Sequence, residues 1–358
     1  MATQLIDLAN LERAALETAL AERGHKRFHA RQIFQWLYKR GVTDISAMTD
    51  LSRALRATLS DQFTIITPQI VSRERSADGT EKFLLRLKDG LQLESVFIPD
   101  TPAMTFCIST QVGCAMACAF CLTGKMGLVR HLTAGEIAGQ VRVLADALDM
   151  RDKKFNIVLM GMGEPLHNYD ETMRALRILN DEYGLAMSAR RMTLSTVGLL
   201  PALEKLAREP LMPNLAISLH APTDRLRGEL VPLNKKYGVA DIIAACKRFP
   251  LAKRSRITFE YVLLAGVNDA PEDARLLAKL LSGVKSKVNL IPLNAAPGIP
   301  FERPSDHVID QFARILSERG VVVSVRKSRG RDIRAACGQL IVEGQKLSTG
   351  QRLAVALR

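Results

Sequence analysis

The spacing Cys114-x3-Cys118-x2-Cys121, with Phe120 immediately before the third cysteine, brings three metal-binding side chains into one short segment. Thiolates hold the irons of a 4Fe-4S cube, normally four cysteines for four irons. Three cysteines leave one iron open, and an open iron can bind and activate a small molecule. Zinc competes for cysteine-rich spacings, but a structural zinc site needs four ligands, usually drawn from two pairs. No second pair occurs in the chain, although His131 could complete a plain structural clip. Ligand count and spacing favour the open cluster.

Cys337 lies between Ala336 and Gly338, downstream of Arg326, Lys327, Arg329, Arg331 and Arg334. Such a cationic setting favours thiolate over thiol. Cys107, in an apolar strand, and Cys246, which matches no motif, each read in isolation as core residues, because free cysteine is among the most buried residue types.

These residues need a scaffold, and the sequence supplies one from residue 104 onward. Apolar strands are predicted at 104–109, 155–160, 192–195, 215–219, 257–264 and 288–293, with 321–325 as a seventh. Amphipathic helices are predicted between them, at 134–148, 170–180, 201–207, 240–248, 271–281 and 305–318. Repeated β-α units imply a parallel sheet, and about six in series imply an open or closed barrel. Active sites in that architecture sit at the C-terminal ends of the strands. The unusual segments fall there: the cysteine loop, Gly161-Met162-Gly163-Glu164-Pro165, Ser195-Thr196-Val197-Gly198, Leu219-His220-Ala221-Pro222 and Asn294-Ala295-Ala296-Pro297-Gly298.

Before residue 100 the pattern differs. Residues 10–62 read as short helices, notably 30–39 and 51–59, with basic residues at Lys26, Arg27, Lys39, Arg40, Arg53 and Arg56. These charges suit either RNA contact or a solvated surface. Strands at 82–87 and 91–98 flank Asp89-Gly90, whose preference for a type I′ turn predicts a hairpin. The expected division is a basic helical accessory domain (1–65), a hairpin and linker (66–100), a barrel with a C-terminal catalytic loop (101–343) and a tail (344–358).

A chain of 358 residues with 47% hydrophobic content can bury one large core and a smaller accessory domain. Its net charge of +13 concentrates polyanions, which makes nucleic acid the leading partner class. Asp7, Glu12 and Glu17 interrupt the apolar positions of the first 25 residues, so no signal-peptide layout is present. No apolar run approaches the ~20 residues of a membrane span, and a soluble cytoplasmic protein without a membrane role is expected. Six cysteines in so long a chain do not make a disulfide scaffold.

The cysteine motif after a first barrel strand resembles that of the radical S-adenosylmethionine (SAM) superfamily. The string from Gly113 to Gly124, with Gly161-Met162-Gly163-Glu164-Pro165 and Ala335-Ala336-Cys337-Gly338-Gln339-Leu340, resembles the RlmN family. Its members are dual-specificity adenine C2-methyltransferases of 23S rRNA and tRNA. The likeness covers nearly the whole chain and implies an α/β fold, a partial (β/α)6 TIM-like radical SAM barrel with an N-terminal helical domain and a β-hairpin extension.

The resemblance also implies a mechanism. Adenine C2 is an amidine-type carbon with no nucleophilic lone pair, so it cannot displace a methyl group from a sulfonium. A 4Fe-4S cluster on Cys114, Cys118 and Cys121 would chelate SAM at its open iron and cleave it to methionine and a 5′-deoxyadenosyl radical. SAM would contact Gly163 and Glu164 through its ammonium, Ser195, Ser218, Leu219 and His220 near its ribose and carboxylate, and Asn294 near its adenosine. Cys337 would accept a methyl group from a first SAM, and the radical from a second would abstract a hydrogen from that methyl. The carbon radical adds to adenine, Glu94 removes the ring proton, and Cys107 attacks the Cys337 sulfur, releasing methylated RNA and forming a disulfide. Implied partners are 23S rRNA before or during ribosome assembly, tRNA, and an electron donor such as flavodoxin.

Taken singly, Gly161 and Gly163 suit a tight turn, Ser195 a helix cap, His220 a satisfied polar residue, and Glu94 a solvated charge on a hairpin face. Their placement on one rim, in the family's order, favours cofactor contact. The chain departs from the family pattern at His131, where Asn is usual, at His167, where Leu is usual, and at Ala295, where Pro is usual. Two alternatives stay open: a methyltransferase of the related Cfr type, which modifies adenine C8, and an RNA-binding module with a structural metal clip.

Overall fold

A computed structural model describes residues 5–99 and 103–344. The tail expected at 344–358 therefore lies, apart from Gly344, outside the described residues. Ile6–Asp7 (β1) and Phe63–Thr64 (β2) pair in parallel around three helices, Arg13–Glu22 (α1), His29–Phe34 (α2) and Arg53–Gln62 (α3). The helix expected at 30–39 changes to a wider π-helical turn over Gln35–Lys39. Trp36, Leu37 and Tyr38 are all buried, and a regular 3.6-residue period does not bury consecutive residues on one face. The helices share their hydrophobic core with the rest of the molecule. Asn10 caps Gly135 N at 2.9 Å, and ion pairs join Glu12 to Arg177 and Arg13 to Asp181. Lys26, Arg27, Lys39, Arg40 and Arg53 are exposed, whereas Arg56 is half-buried and donates to the Ser46 carbonyl.

Gln69–Arg75 (β3), Glu81–Arg86 (β4) and Gln92–Ile98 (β5) form an antiparallel meander rather than a two-stranded hairpin. The turn is also not type I′, which needs positive φ at both central residues. Gly90 alone has it, at +85°, and the bonds Gly90 N to Leu87 O and Leu87 N to Leu91 O make a type I turn closed by a glycine bulge. Asp89 accepts from Leu91 N through its side chain, an Asx bond that needs no left-handed aspartate.

β5 then pairs with Thr105–Cys107 (β6), with Val96 opposite Cys107. After β6 come a hairpin of Gln111–Cys114 (β7) and Gly127–His131 (β8), with Leu122–Met126 (α4) between them, and then Ala134–Ala147 (α5). The chain alternates onward through Asn156–Leu159 (β9), Tyr169–Asn180 (α6), Met192–Thr196 (β10), Leu200–Leu206 (α7) and Asn214–Ser218 (β11). Asp224–Leu230 (α8) and Val239–Arg248 (α9) precede Ile257–Leu263 (β12), and Pro271–Leu280 (α10), Ser286–Pro292 (β13), Asp306–Glu318 (α11) and Val323–Val325 (β14) complete it.

The strands lie in the order β14-β13-β12-β11-β10-β9-β6-β5-β4-β3, parallel from β6 to β14. β14 and β6 do not pair, so the barrel wall stays open and its first strand continues into the meander. Parallel strands covered on both faces read as largely apolar runs, and Ile257–Leu263 was legible in that way although Thr258 and Glu260 interrupt it. Among the described residues no helix is long and apolar enough to cross a membrane.

Candidate active site

The cysteine loop leaves β7 through Gly113, at φ +75°, where a Cβ would collide with the Gly127 carbonyl oxygen. Glycine is the residue that both conditions allow. The loop is then tied down from three sides: Ala119 N donates to Leu230 O at 2.9 Å, Cys121 N to Cys118 O at 3.1 Å, and Leu122 N to Gly338 O at 2.8 Å. Burial pushes the Cys114 thiol up to about 12 and raises Cys118 and Cys121 as well, and neighbouring thiolates add to this, Cys121 at both Cys114 and Cys118 and Cys337 at Cys121. A cationic centre bound by all three removes that penalty, so the donor set fits an iron-sulfur cluster. Among the described residues no three His, Cys, Asp or Glu side chains converge on a single ion site. A cube needs no such convergence, because each thiolate takes its own iron. His131 points elsewhere: its Nδ1 accepts from Gln111 at 2.9 Å.

Facing the loop is a cleft at the strand ends. Cys114, Cys118, Cys121, Gly163, Glu164, Ser195, Ser218, His220, Asn294 and Cys337 all line it. Leu219 sits behind the wall. Glu164 is buried, and its carboxylate accepts from Leu166 N at 3.0 Å and Val197 N at 2.9 Å. Burial nevertheless pushes its value up to about 7, so a cationic ligand in the cleft would favour the charged form. His220 is held at φ +62°, a left-handed conformation uncommon outside glycine. Its Nδ1 accepts from Val262 N at 3.1 Å, which assigns the ring proton to Nε2. Burial lowers it to about 3, so the ring is neutral, and it meets Phe120 edge to face at 4.7 Å. Ser195 and Ser218 bring their hydroxyls within 3.4 Å of each other. Asn294 donates to Cys337 O at 3.2 Å while its buried Oδ1 has no partner. An orphaned acceptor in an otherwise satisfied wall fits a ligand that donates to it.

One residue sequence reasoning missed holds this wall together. Arg227 is fully buried and donates to the carbonyls of Leu219 at 3.1 Å, Val197 at 2.6 Å and Ser218 at 3.2 Å, and to Asn234 at 3.0 Å. Burial pulls its value down to about 10. In the sequence it stands beside Asp224, Arg225 and Glu229 and looks like one more surface charge. Glu260, buried on β12 and bonded to Asn289 at 2.7 Å, was likewise hidden within an apolar strand.

Cys337 is carried on a loop that docks over the cleft. Gln339 donates to Ala295 O at 2.8 Å, Thr123 to Leu340 O at 2.6 Å, and Ile341 N to the Glu94 carboxylate at 2.8 Å. Of the five basic residues preceding Cys337, Arg326 is the one that interacts with its sulfur, which raises the guanidinium's own value. Arg326, Cys107 and Cys337 line a second, smaller cavity. Cys107 is buried and pushed up to about 12. Both cysteines are free thiols, so the disulfide implied by resemblance does not join them here, with the Arg326 cation interacting with both sulfurs. Glu94 differs from the solvated hairpin charge that it suggests in isolation. It is buried rather than solvated, pairs with Lys82 at 3.1 Å, and lines neither cavity. Burial raises its value, and Lys82 offsets part of the rise.

Comparison with known proteins gives a consistent result. The family described as Ribosomal RNA large subunit methyltransferase N-terminal domain matches residues 6–65, and the Radical SAM superfamily matches residues 108–278. A protein of Geobacter sulfurreducens named Dual-specificity RNA methyltransferase RlmN is 50% identical over 94% of this chain and 92% of its own length. The protein of that name from Magnetococcus marinus is 50% identical over 95% of this chain and 96% of its own. The crystal structure of a radical SAM methyltransferase from Sphaerobacter thermophilus superposes with a TM-score of 0.89, at 49% identity over 94% of this chain and 99% of that one.

Proposed function

Because the chain belongs to the RlmN family, and is thus a radical SAM RNA methyltransferase, we propose that it methylates the C2 carbon of an adenine in 23S rRNA and in tRNA. The observation that carries the reading is the single cleft lined by the three motif cysteines, the strand-end residues and Cys337. The family implies a 4Fe-4S cluster and SAM. Cys114, Cys118 and Cys121 would hold three irons, and Gly163, Glu164, Ser195, Ser218, His220 and Asn294 would hold SAM, with Leu219 behind them supporting the wall. When bound, this pair supplies the hydrogen-abstracting radical that an unactivated aromatic carbon requires.

The chain's own residues then have separate tasks. Cys337 would carry the incoming carbon as a thioether on its sulfur, at the edge of the cleft. Arg326 interacts with that sulfur and lines the smaller cavity beside it. Glu94 lines neither cavity while Ile341 N is bonded to it, so it would take up the proton lost from adenine only once that bond to the Cys337 loop is released; its raised value suits the role. Cys107 would attack the Cys337 sulfur, so that the sulfur-carbon bond breaks toward the product, whose new methyl takes up a proton; an external thiol must then reduce the sulfur pair. The adenine would have to be unstacked to reach the cleft, with exposed basic residues contacting phosphates. A cytoplasmic enzyme served by a flavodoxin-like donor completes the proposal.

The test is the methylated nucleoside formed from deproteinised ribosomal RNA and from tRNA, identified by chromatography and mass spectrometry. 2-Methyladenosine from both is expected. 8-Methyladenosine would replace the C2 assignment, and no methylation of either RNA would reject the reading.

A further inference from the structure

Gln111 stands in β7, three residues before the first motif cysteine, and every polar atom of its side chain is engaged. Its Oε1 accepts from the backbone N–H of Glu164 at 2.8 Å. Its Nε2 faces Nδ1 of His131 at 2.9 Å and Nδ1 of His167 at 3.2 Å. An amide nitrogen carries two N–H groups, so two neutral imidazoles can take one each. The rings meet edge to face with centroids 5.0 Å apart. With both donors committed, the amide has one orientation, its oxygen toward Glu164. The contact is close: at Gly163, φ +103°, a Cβ would come within 2.6 Å of the Gln111 Cβ. The Gly163-Glu164 turn is thus packed directly on this side chain.

We propose that Gln111 is a positioning residue for the Gly163-Glu164 turn, and that His131 and His167 together fix the orientation of its amide. The proposal rests on the reading that this turn holds SAM. His131 and His167 are neighbours sharing one partner, so they act as a unit.

A protonated Nδ1 cannot accept, and an amide facing a protonated ring must turn or leave. Turning presents N–H to the Glu164 N–H, which then has no acceptor. Burial lowers both histidines, His131 further through the charge of His167, so the clamp is intact at neutral pH and opens on the acid side. The charged groups around the pair are otherwise occupied. Arg130 donates to the His131 carbonyl and is bound by Asp89 and Glu136. Glu171 accepts from Ala134 N and pairs with Arg174, and the Glu164 carboxylate is turned toward Leu166 N and Val197 N.

The test is SAM binding to the anaerobic holoenzyme by equilibrium dialysis, at about pH 7.5 and about pH 5, the lower point set well below the ordinary histidine value because burial lowers both rings. The double variant H131N/H167N keeps side-chain acceptors that do not titrate. The ratio of Kd at the lower to the higher pH is expected to be about tenfold larger in wild type than in the double variant, the equivalent of one lost buried hydrogen bond. Taking the ratio between proteins cancels titration of Glu164 and of SAM itself. Gln111→Leu should raise Kd about tenfold at the higher pH. Equal ratios, or unchanged affinity in Gln111→Leu, would overturn the proposal; if Gln111→Leu loses its iron, the pH comparison alone decides. Wild-type holoenzyme that binds no SAM at either pH would reject the cofactor reading instead.

Discussion

The strand-end wall of the cleft and the Cys337 loop that faces it are secured by different means. The wall hangs on parallel ladders from β9 to β13, with Arg227 clamping three of its carbonyls from beneath. The loop has no ladder. It is tethered by single bonds from Glu94, Thr123, Asn294 and Gln339, and by Asp78, which accepts from Gly330 N at 3.0 Å. A wall of that kind pre-organises a cofactor, whereas separate tethers can break and reform around a covalently loaded cysteine.

The largest expected effect lies on the wall side. Replacing Cys114, Cys118 or Cys121 with Ala should abolish the cluster and SAM cleavage together, read as iron, sulfide and methionine formation; cleavage retained in all three would remove the radical assignment. Next come the two remaining thiols of the site. Cys337→Ala should end methylation of both protein and RNA. Cys107→Ala should accumulate a covalent protein-RNA adduct, absent from the double variant, and adduct-free turnover would refute its resolving role.

Smaller effects probe how each side is held. Arg227→Met strands buried carbonyls and should cost about 3–5 kcal/mol in denaturant unfolding. Glu164 gives a pH signature. Its folded value of about 7 exceeds the ordinary 4.5, so its contribution is fully present below about pH 4.5 and is lost as pH rises through 7. Relative to Glu164→Gln, wild type should lose on the order of 3 kcal/mol across that window. His220, lowered to about 3, acts oppositely below its ordinary 6.5, so only the difference between the two proteins isolates Glu164. The smallest effect belongs to the loop: removing the exposed Arg334–Glu343 pair, 3.7 Å apart, should change stability by less than about 0.5 kcal/mol.

The parallel strands, the helices between them and the gathering of the rim were legible, because apolar runs and their punctuation are local properties. Other features depend on distant partners. β3 has every residue exposed, so it carries no alternation to read. Arg227 and Glu260 are ionisable groups inside the protein, and nothing adjacent in sequence marks them. Glu94 looks like a hairpin surface charge until Lys82 and Ile341 N close over it. The type I′ expectation failed because Asp-Gly serves equally well where only the glycine is left-handed.

The continuous pairing of β4, β5 and β6 has a consequence for how such a chain can vary. Val96 lies opposite Cys107 and Leu84 opposite Glu94, so one hydrogen-bonded grid sets the spacing of acid and thiol. Side chains alternate faces along a strand, and a single-residue insertion between Gly90 and Glu94 would turn the carboxylate to the opposite side while leaving Cys107 in place. Length changes should therefore be tolerated in the turn at Leu87–Leu91 only where they restore the phase, making the meander a segment that can drift in composition but not in count.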